Sequence, residues 1–112
     1  MNFAQVPTVT VDAVPADGLL LDVREPEEWA AGHAEGALHI PMGEVIARRT
    51  EIEERVGDGP VHVVCRSGGR SAQVTAYLAQ QGVDAVNVDG GMVAWEAAGR
   101  PLAADGEPPR VL

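Results

Sequence analysis

The sequence predicts an α/β fold built on a mostly parallel sheet. Short apolar runs rich in β-branched residues alternate along the chain with segments of helical periodicity, which is the pattern of consecutive βαβ units. These runs are only three or four residues long, as expected for the short buried strands of a small domain. The length of 112 residues fits one domain with a single core.

Five runs are candidate strands, and the segments between them carry helix signals. The strands are predicted at 8–10, 19–22, 38–40, 61–64 and 85–88. Pro26, with acidic residues beside it, begins a short helix that carries Trp29, and Gly32 is expected to end it in the left-handed conformation.

Three further helices are predicted from apolar spacing. After Pro41, one buried stripe with a break near Thr50 is expected, formed by Val45, Ile46, Ile52 and Val56. Segments 71–81 and 92–98 are amphipathic and end at Gly82 and Gly99. Residues 101–112 are rich in Ala, Asp, Gly and Pro without periodicity, so we expect a domain at 1–100 and a loosely packed or mobile C-terminal tail.

Composition excludes several classes of function. The chain has 17 acidic and 8 basic residues and a net charge of -9, which disfavours nucleic acid and anionic membranes as partners. No apolar run approaches the ~18 to 20 residues of a membrane span, and the first residues do not resemble a secretion signal, so we expect a cytoplasmic protein. Cys65 is the only cysteine, which rules out an intrachain disulfide.

The chemistry is concentrated after the strand at 61–64. The chain there continues as Cys65-Arg66-Ser67-Gly68-Gly69-Arg70 and then into a helix. A tight loop between a parallel strand and a helix aims successive N–H groups at one point and favours an anion there. Gly68 and Gly69 are expected to supply the positive φ values that such a loop needs.

A thiol in that position is expected to be a nucleophile. Hydrogen bonds to the thiolate lower the pKa of the Cys65 thiol, and a shift of about two units corresponds to ~2.7 kcal/mol. Most single cysteines after an apolar strand are inert and buried, but the two arginines and two glycines that follow Cys65 favour a reactive one. Arg66 and Arg70 match a multi-oxygen anion such as a thiosulfonate group.

Three segments resemble rhodanese-type sulfurtransferases. Loop 65–70 resembles the active-site loop of that family. Segments 20–24 and 32–41 resemble its first signature, although Ala34 stands where isoleucine is more frequent, and 87–91 with 99–101 resemble its C-terminal one. The resemblance implies a five-stranded parallel sheet with helices on both faces. It also implies a ping-pong reaction in which a persulfide carries sulfur from a donor such as thiosulfate to cyanide or a thiol.

The resemblance also implies roles for individual residues. Cys65 would be the nucleophile and sulfur carrier, and the donor anion would be bound by the loop residues Arg66, Ser67, Gly68, Gly69 and Arg70. Asp22 and Arg24, at a strand end, are expected to form an ion pair that supports the neighbouring loop. We expect no cofactor and no metal; His33, His39 and His62 are interpreted as structural.

Two other functions remain open. Cysteine phosphatases and arsenate reductases use a similar loop, but they place five residues between cysteine and arginine, whereas four intervene here. A non-enzymatic persulfide carrier or redox-sensing module for a partner protein is the second alternative. The sequence names neither the donor nor the acceptor, and because it has no second cysteine the persulfide must be discharged by an external thiol, by cyanide or by a protein acceptor.

Overall fold

The computed structural model describes residues 6–104 and 106–112. Residues 1–5, at the start of the predicted 1–100 domain, and residue 105, in the predicted tail, lie outside that description. The strands of the described part are β1 (Thr8–Val9), β2 (Leu19–Asp22), β3 (His33–Ala34), β4 (Leu38–His39), β5 (Val61–Val64), β6 (Ala85–Val88) and β7 (Leu102–Ala103). The α-helices are α1 (Pro26–Ala31), α2 (Arg49–Arg55), α3 (Gly69–Gln80) and α4 (Gly91–Ala97).

Five strands form one parallel sheet in the order β1-β6-β5-β2-β4, which confirms the predicted fold class. Strand β5 lies at the centre, with Val64 opposite Asp22 of β2 and Val63 opposite Asn87 of β6. Because parallel strands end at the same edge, the residues that follow β2, β5 and β6 meet there. The predicted nucleophile Cys65 is one of them.

Helices cover both faces of this sheet. Leu21 and Val63 belong to a core cluster that includes Ile52 of α2 and residues of α3. Their neighbours along the strands, Leu20 and Val64, belong to a second cluster that includes residues of α4. This alternation follows from the two-residue period of a strand, and it explains why the strands are mostly apolar on both faces.

Most predicted strands agree with the structure, and one small sheet was missed. Strands β2, β5 and β6 have the predicted bounds, whereas β1 and β4 each end one residue before the predicted 8–10 and 38–40. Strands β3 and β7 form a separate antiparallel pair that the sequence did not predict. A two-residue strand is too short to show periodicity, so its pairing depends on the tertiary structure.

The glycines that end the helices divide into two groups. Gly82 and Gly99, where the sequence predicts the ends of α3 and α4, have φ values of 81° and 72° and follow these helices in the left-handed conformation. The left-handed conformation predicted for Gly32 is wrong, because its φ of 174° is extended. Glycine is needed there for space: a Cβ at Gly32 would lie 2.7 Å from the Arg110 backbone nitrogen.

The segment after Pro41 is less regular than predicted. A short 3-10 helix (Met42–Glu44) precedes α2, so the break falls before Thr50. Val45 and Ile52 are buried, but Ile46 is 72% exposed. The single apolar stripe is therefore wrong at Ile46, because the chain turns between the two helical pieces and changes the face that each residue presents.

Residues 101–112 contact the domain at several points. Strand β7 pairs with β3, the Arg110 N–H donates to the Ala31 carbonyl at 2.9 Å, and the Val111 N–H donates to a Glu96 carboxylate oxygen at 3.1 Å. The mobility expected from composition stays a prediction, as does the domain boundary at residue 100. Among the described residues, no helix combines the length and the apolar character that crossing a membrane requires.

Candidate active site

Cys65 lies directly after the central strand, at the edge where three strands end. Its side chain is buried, with 1% of its surface exposed. The Gly68 N–H donates to Sγ at 3.1 Å, closing the loop around the sulfur. Gly68 has a φ of 121°, which only glycine adopts without strain. Gly69 is already the first residue of α3, so the positive φ predicted for Gly69 is wrong.

Ser71 and Asn87 complete the surroundings of the sulfur, and sequence reasoning missed both. The Ser71 hydroxyl oxygen lies 3.3 Å from Cys65 Sγ and 2.5 Å from Asn87 Oδ1, and both residues are buried. A hydroxyl has one proton, so it can donate to the Asn87 carbonyl oxygen or to a Cys65 thiolate. The one available signal was an asparagine within an otherwise apolar strand, since a buried amide needs a hydrogen-bond partner.

The surroundings favour the thiolate. Burial raises the pKa of the Cys65 thiol, but hydrogen bonds from the Ser71 hydroxyl and from the backbone N–H groups of Ser71, Gly68 and Ser67 outweigh it. The pKa therefore lies below its usual value, in the predicted direction. The cause is a set of hydrogen-bond donors that gain strength when the sulfur is charged.

The start of α4 holds the loop in this orientation. The Met92 N–H donates to the Cys65 carbonyl at 2.8 Å, and the Val93 N–H donates to the Arg66 carbonyl at 3.1 Å. In a trans peptide the C=O and the following N–H point in opposite directions. Because the Arg66 carbonyl faces α4, the Ser67 N–H in the same peptide faces the sulfur.

The two arginines of the loop have different partners. Both terminal nitrogens of Arg70 bind the Glu28 carboxylate, with Nη1 at 2.7 Å from Oε1 and Nη2 at 3.0 Å from Oε2. This hydrogen-bonded pair lowers the pKa of Glu28 to about 2. Arg66 is exposed, and its Nε donates to the Leu112 carbonyl at 2.8 Å. The sequence analysis did not predict the pairing of Arg70 with Glu28.

Asp22 and Arg24 form the predicted ion pair at the end of β2. Arg24 Nη2 lies 2.7 Å from Asp22 Oδ2, and both side chains are buried. The same nitrogen donates to the Gly32 carbonyl at 2.8 Å. The pair therefore ties the end of β2 to the turn after α1, the helix that carries Glu28.

The histidines have structural contacts. Trp29 stacks with His33 and with His39, at ring-centre distances of 3.7 and 4.7 Å. The ring nitrogens of His33, His39 and His62 hydrogen-bond backbone carbonyl groups, which agrees with the structural roles predicted for them. In the part of the chain that the structure describes, no group of three or more His, Cys, Asp or Glu side chains could hold a metal ion.

A comparison with protein families identifies this arrangement. The model of the Rhodanese-like domain matches residues 10–98. The chain belongs to the rhodanese-like domain family. The matched range includes β2 with its ion pair, the loop of Cys65 and all of α4, so the rhodanese-like domain contains every contact to the sulfur described above.

Similar proteins point to one type of activity. The rhodanese-like domain is 44% identical over 82 residues to the putative sulfurtransferase YtwF of Bacillus subtilis, covering 73% of this chain and 77% of that protein. It is 45% identical over 89 residues to a sulfurtransferase of Allochromatium vinosum, covering 79% and 80%. A rhodanese-like domain protein of Staphylococcus aureus has a crystal structure that is 31% identical, with a TM-score of 0.68 and coverage of 93% and 98%. These relatives support a sulfurtransferase-type function.

Proposed function

We propose that the protein transfers sulfane sulfur from a small anionic donor such as thiosulfate to a thiophilic acceptor through a persulfide on Cys65. The observation that carries this proposal is the sulfur held by the Gly68 N–H at 3.1 Å, with a thiol pKa below its usual value. A thiolate at neutral pH is the attacking group that sulfur transfer needs.

The first half-reaction displaces sulfite. The Cys65 thiolate attacks the outer sulfur of thiosulfate, a new S–S bond forms, and the old S–S bond breaks with its electron pair going to sulfite. One thiolate and one dianion become one persulfide anion and one dianion, so charge and atoms balance. The N–H groups that stabilise the thiolate then stabilise the terminal sulfur of the persulfide, because both carry the same charge in nearly the same place.

The residues of the loop take unequal parts in binding the donor. Arg66 is exposed next to the nucleophile and orients the donor, and the backbone from Ser67 to Gly69 forms the cradle. Arg70, to which the sequence assigned the same task, also binds Glu28 and fixes the start of α3 against α1, and its contact with the donor stays a prediction. The ion pair of Asp22 and Arg24 supports this arrangement, because Arg24 donates a hydrogen bond to the Gly32 carbonyl at the end of α1.

The second half-reaction needs an external acceptor. Cys65 is the only cysteine of the chain, so another molecule must attack the outer sulfur of the persulfide. Cyanide, a small thiol or a cysteine of another protein can do this, and each releases the Cys65 thiolate for a new cycle. The reaction needs no cofactor and no metal, and a cytoplasmic location stays a prediction.

Intact-mass measurement tests the proposal. Incubation with thiosulfate should add the mass of one sulfur atom, and cyanide should then remove it as thiocyanate. The Cys65→Ser variant should neither gain sulfur nor form thiocyanate, and sulfur gain by this variant would contradict the assignment. Sulfur that is accepted but released only to a protein partner would favour the carrier function, and hydrolysis of an aryl phosphate without sulfur gain would favour the phosphatase.

A further inference from the structure

Half of the positive charge that the two loop arginines bring near Cys65 is cancelled by a residue outside the loop. Arg66 and Arg70 contribute two positive charges, and Glu28 of α1 removes one of them by binding both terminal nitrogens of Arg70. The Cys65 thiolate removes the second. The hydrogen bonds to Glu28 raise the pKa of Arg70, and the charge of the Cys65 sulfur adds to this rise, so Glu28 and Cys65 act on the same guanidinium.

Glu28 is fixed in this position by its own helix. Its Oε1 also accepts the Glu25 N–H at 2.9 Å, and its N–H donates to the Glu25 carbonyl at 3.1 Å. Its side chain is 16% exposed, against 33% for Arg70. Since the pKa of Glu28 is about 2, the carboxylate stays charged across the pH range of enzyme assays. Glu28 is therefore a permanent negative charge at the rim of the loop.

We propose that Glu28 makes the loop selective for sulfane-sulfur donors that carry one negative charge over the dianion thiosulfate. This inference rests on the sulfur-transfer function proposed above. The energy between a fixed charge and a donor scales with the donor's charge, so a carboxylate at the rim opposes a dianion twice as strongly as a monoanion. Because Arg70 binds Glu28 through both terminal nitrogens, the carboxylate already neutralises the positive charge with which Arg70 would attract a dianion.

The proposal can be tested with two sulfur donors that react in the same way but differ in charge. Thiosulfate and methanethiosulfonate both present an outer sulfur bonded to an oxidised sulfur, and they differ by one negative charge. In each case the Cys65 thiolate forms a bond to the outer sulfur, the S–S bond breaks, and the electron pair leaves on sulfite or on methanesulfinate. A difference between them that depends on Glu28 is therefore a difference in charge recognition.

The test is steady-state kinetics of Glu28→Gln with both donors and cyanide. The amide keeps the size of the side chain and an acceptor oxygen but removes the charge. We expect the KM for thiosulfate to fall about tenfold and that for methanethiosulfonate to fall about threefold, with kcat nearly constant, because the effect on the dianion doubles on a logarithmic scale. The exposed neighbour Glu27 provides the matched control, since Glu27→Gln makes the same change in net charge and should leave the ratio of the two kcat/KM values unchanged.

A double variant tests whether the effect is one of charge. Arg70→Gln removes the positive charge that Glu28→Gln leaves unbalanced, so the gain for thiosulfate should disappear in Glu28→Gln/Arg70→Gln. An unchanged donor ratio in Glu28→Gln, or a gain that persists in the double variant, would overturn the proposal. The ratio of the two kcat/KM values does not depend on the concentration of folded enzyme, so it can be measured even if part of the variant is unfolded. Glu28→Ala is a second substitution, and we expect it to change this ratio in the same direction. Failure of the wild type to form a persulfide with either donor would instead overturn the proposed function.

Discussion

Two neighbouring strands of the sheet end in the same local pattern but use it differently. Strand β5 leads through a loop with Gly68 and Gly69 into α3, and β6 leads through Gly90 and Gly91 into α4. The first connection turns its N–H groups toward a sulfur. In the second connection, the N–H groups of Met92 and Val93 in α4 donate to the carbonyl groups of Cys65 and Arg66, at 2.8 and 3.1 Å.

The difference shows that a Gly-Gly pair before a helix is not by itself an anion site. Its free N–H groups bind whatever acceptor the fold presents, which is a thiolate in one loop and backbone carbonyl groups in the other. The two connections also differ in which of their glycines have a positive φ. Gly90 and Gly91 both have positive φ, whereas only Gly68 does in the first loop. The second connection thus holds the first in place, and the first contains the candidate site.

Gly91→Ala should disrupt the contacts between the start of α4 and the loop of Cys65, and it should have the largest effect on stability. An added Cβ would lie 2.6 Å from the Arg66 carbonyl oxygen, and the φ of 56° is already strained for alanine. We expect the free energy of unfolding to fall by about 3 kcal/mol, measured by urea denaturation. The loss of sulfur transfer should exceed what the unfolded fraction explains, because the clash displaces the carbonyl groups that orient the loop. A variant as stable and active as the wild type would show that α4 does not hold the loop.

Ser71→Ala should weaken the first loop without disturbing the second. Loss of a hydrogen bond to a charged sulfur costs about 1.5 to 3 kcal/mol, so the pKa of Cys65 should rise. Since only the thiolate reacts, alkylation by iodoacetamide should slow at neutral pH and approach the wild-type rate at high pH. The control is Gln73→Ala, an exposed change on the same helix. Superimposable pH profiles for Ser71→Ala and the wild type would remove Ser71 from the site.

Gly69→Ala should have the smallest effect and sharpen the contrast with Gly91. Apart from its chain neighbours and the backbone of its own helix, no atom lies within 4 Å of a Cβ built at Gly69, and the residue is helical. Alanine in a helix is favoured over glycine, so we expect a change between zero and about 1 kcal/mol of added stability, measured in the same denaturation experiment. A loss similar to that of Gly91→Ala would mean that the two loops tolerate side chains equally.

Much of the fold was predictable because it depends on local patterns. The bounds of β2, β5 and β6 follow from apolar runs, and Gly82 and Gly99 end helices through their own conformational freedom. Gly32 was misread because its role is not local. The backbone of Arg110, 78 residues later, packs where a side chain at position 32 would lie, and no sequence pattern around Gly32 predicts that contact.

The sequence by itself determined that Cys65 follows a buried strand, that a glycine-containing loop and a helix come next, and that two arginines accompany it. Only the tertiary structure decided what these groups bind. It placed Asn87 against Ser71, and Glu28 against Arg70 across 42 residues of chain. The physical reason is that backbone conformation is set largely by neighbouring residues, whereas the partner of a charged or polar side chain is set by which elements pack together.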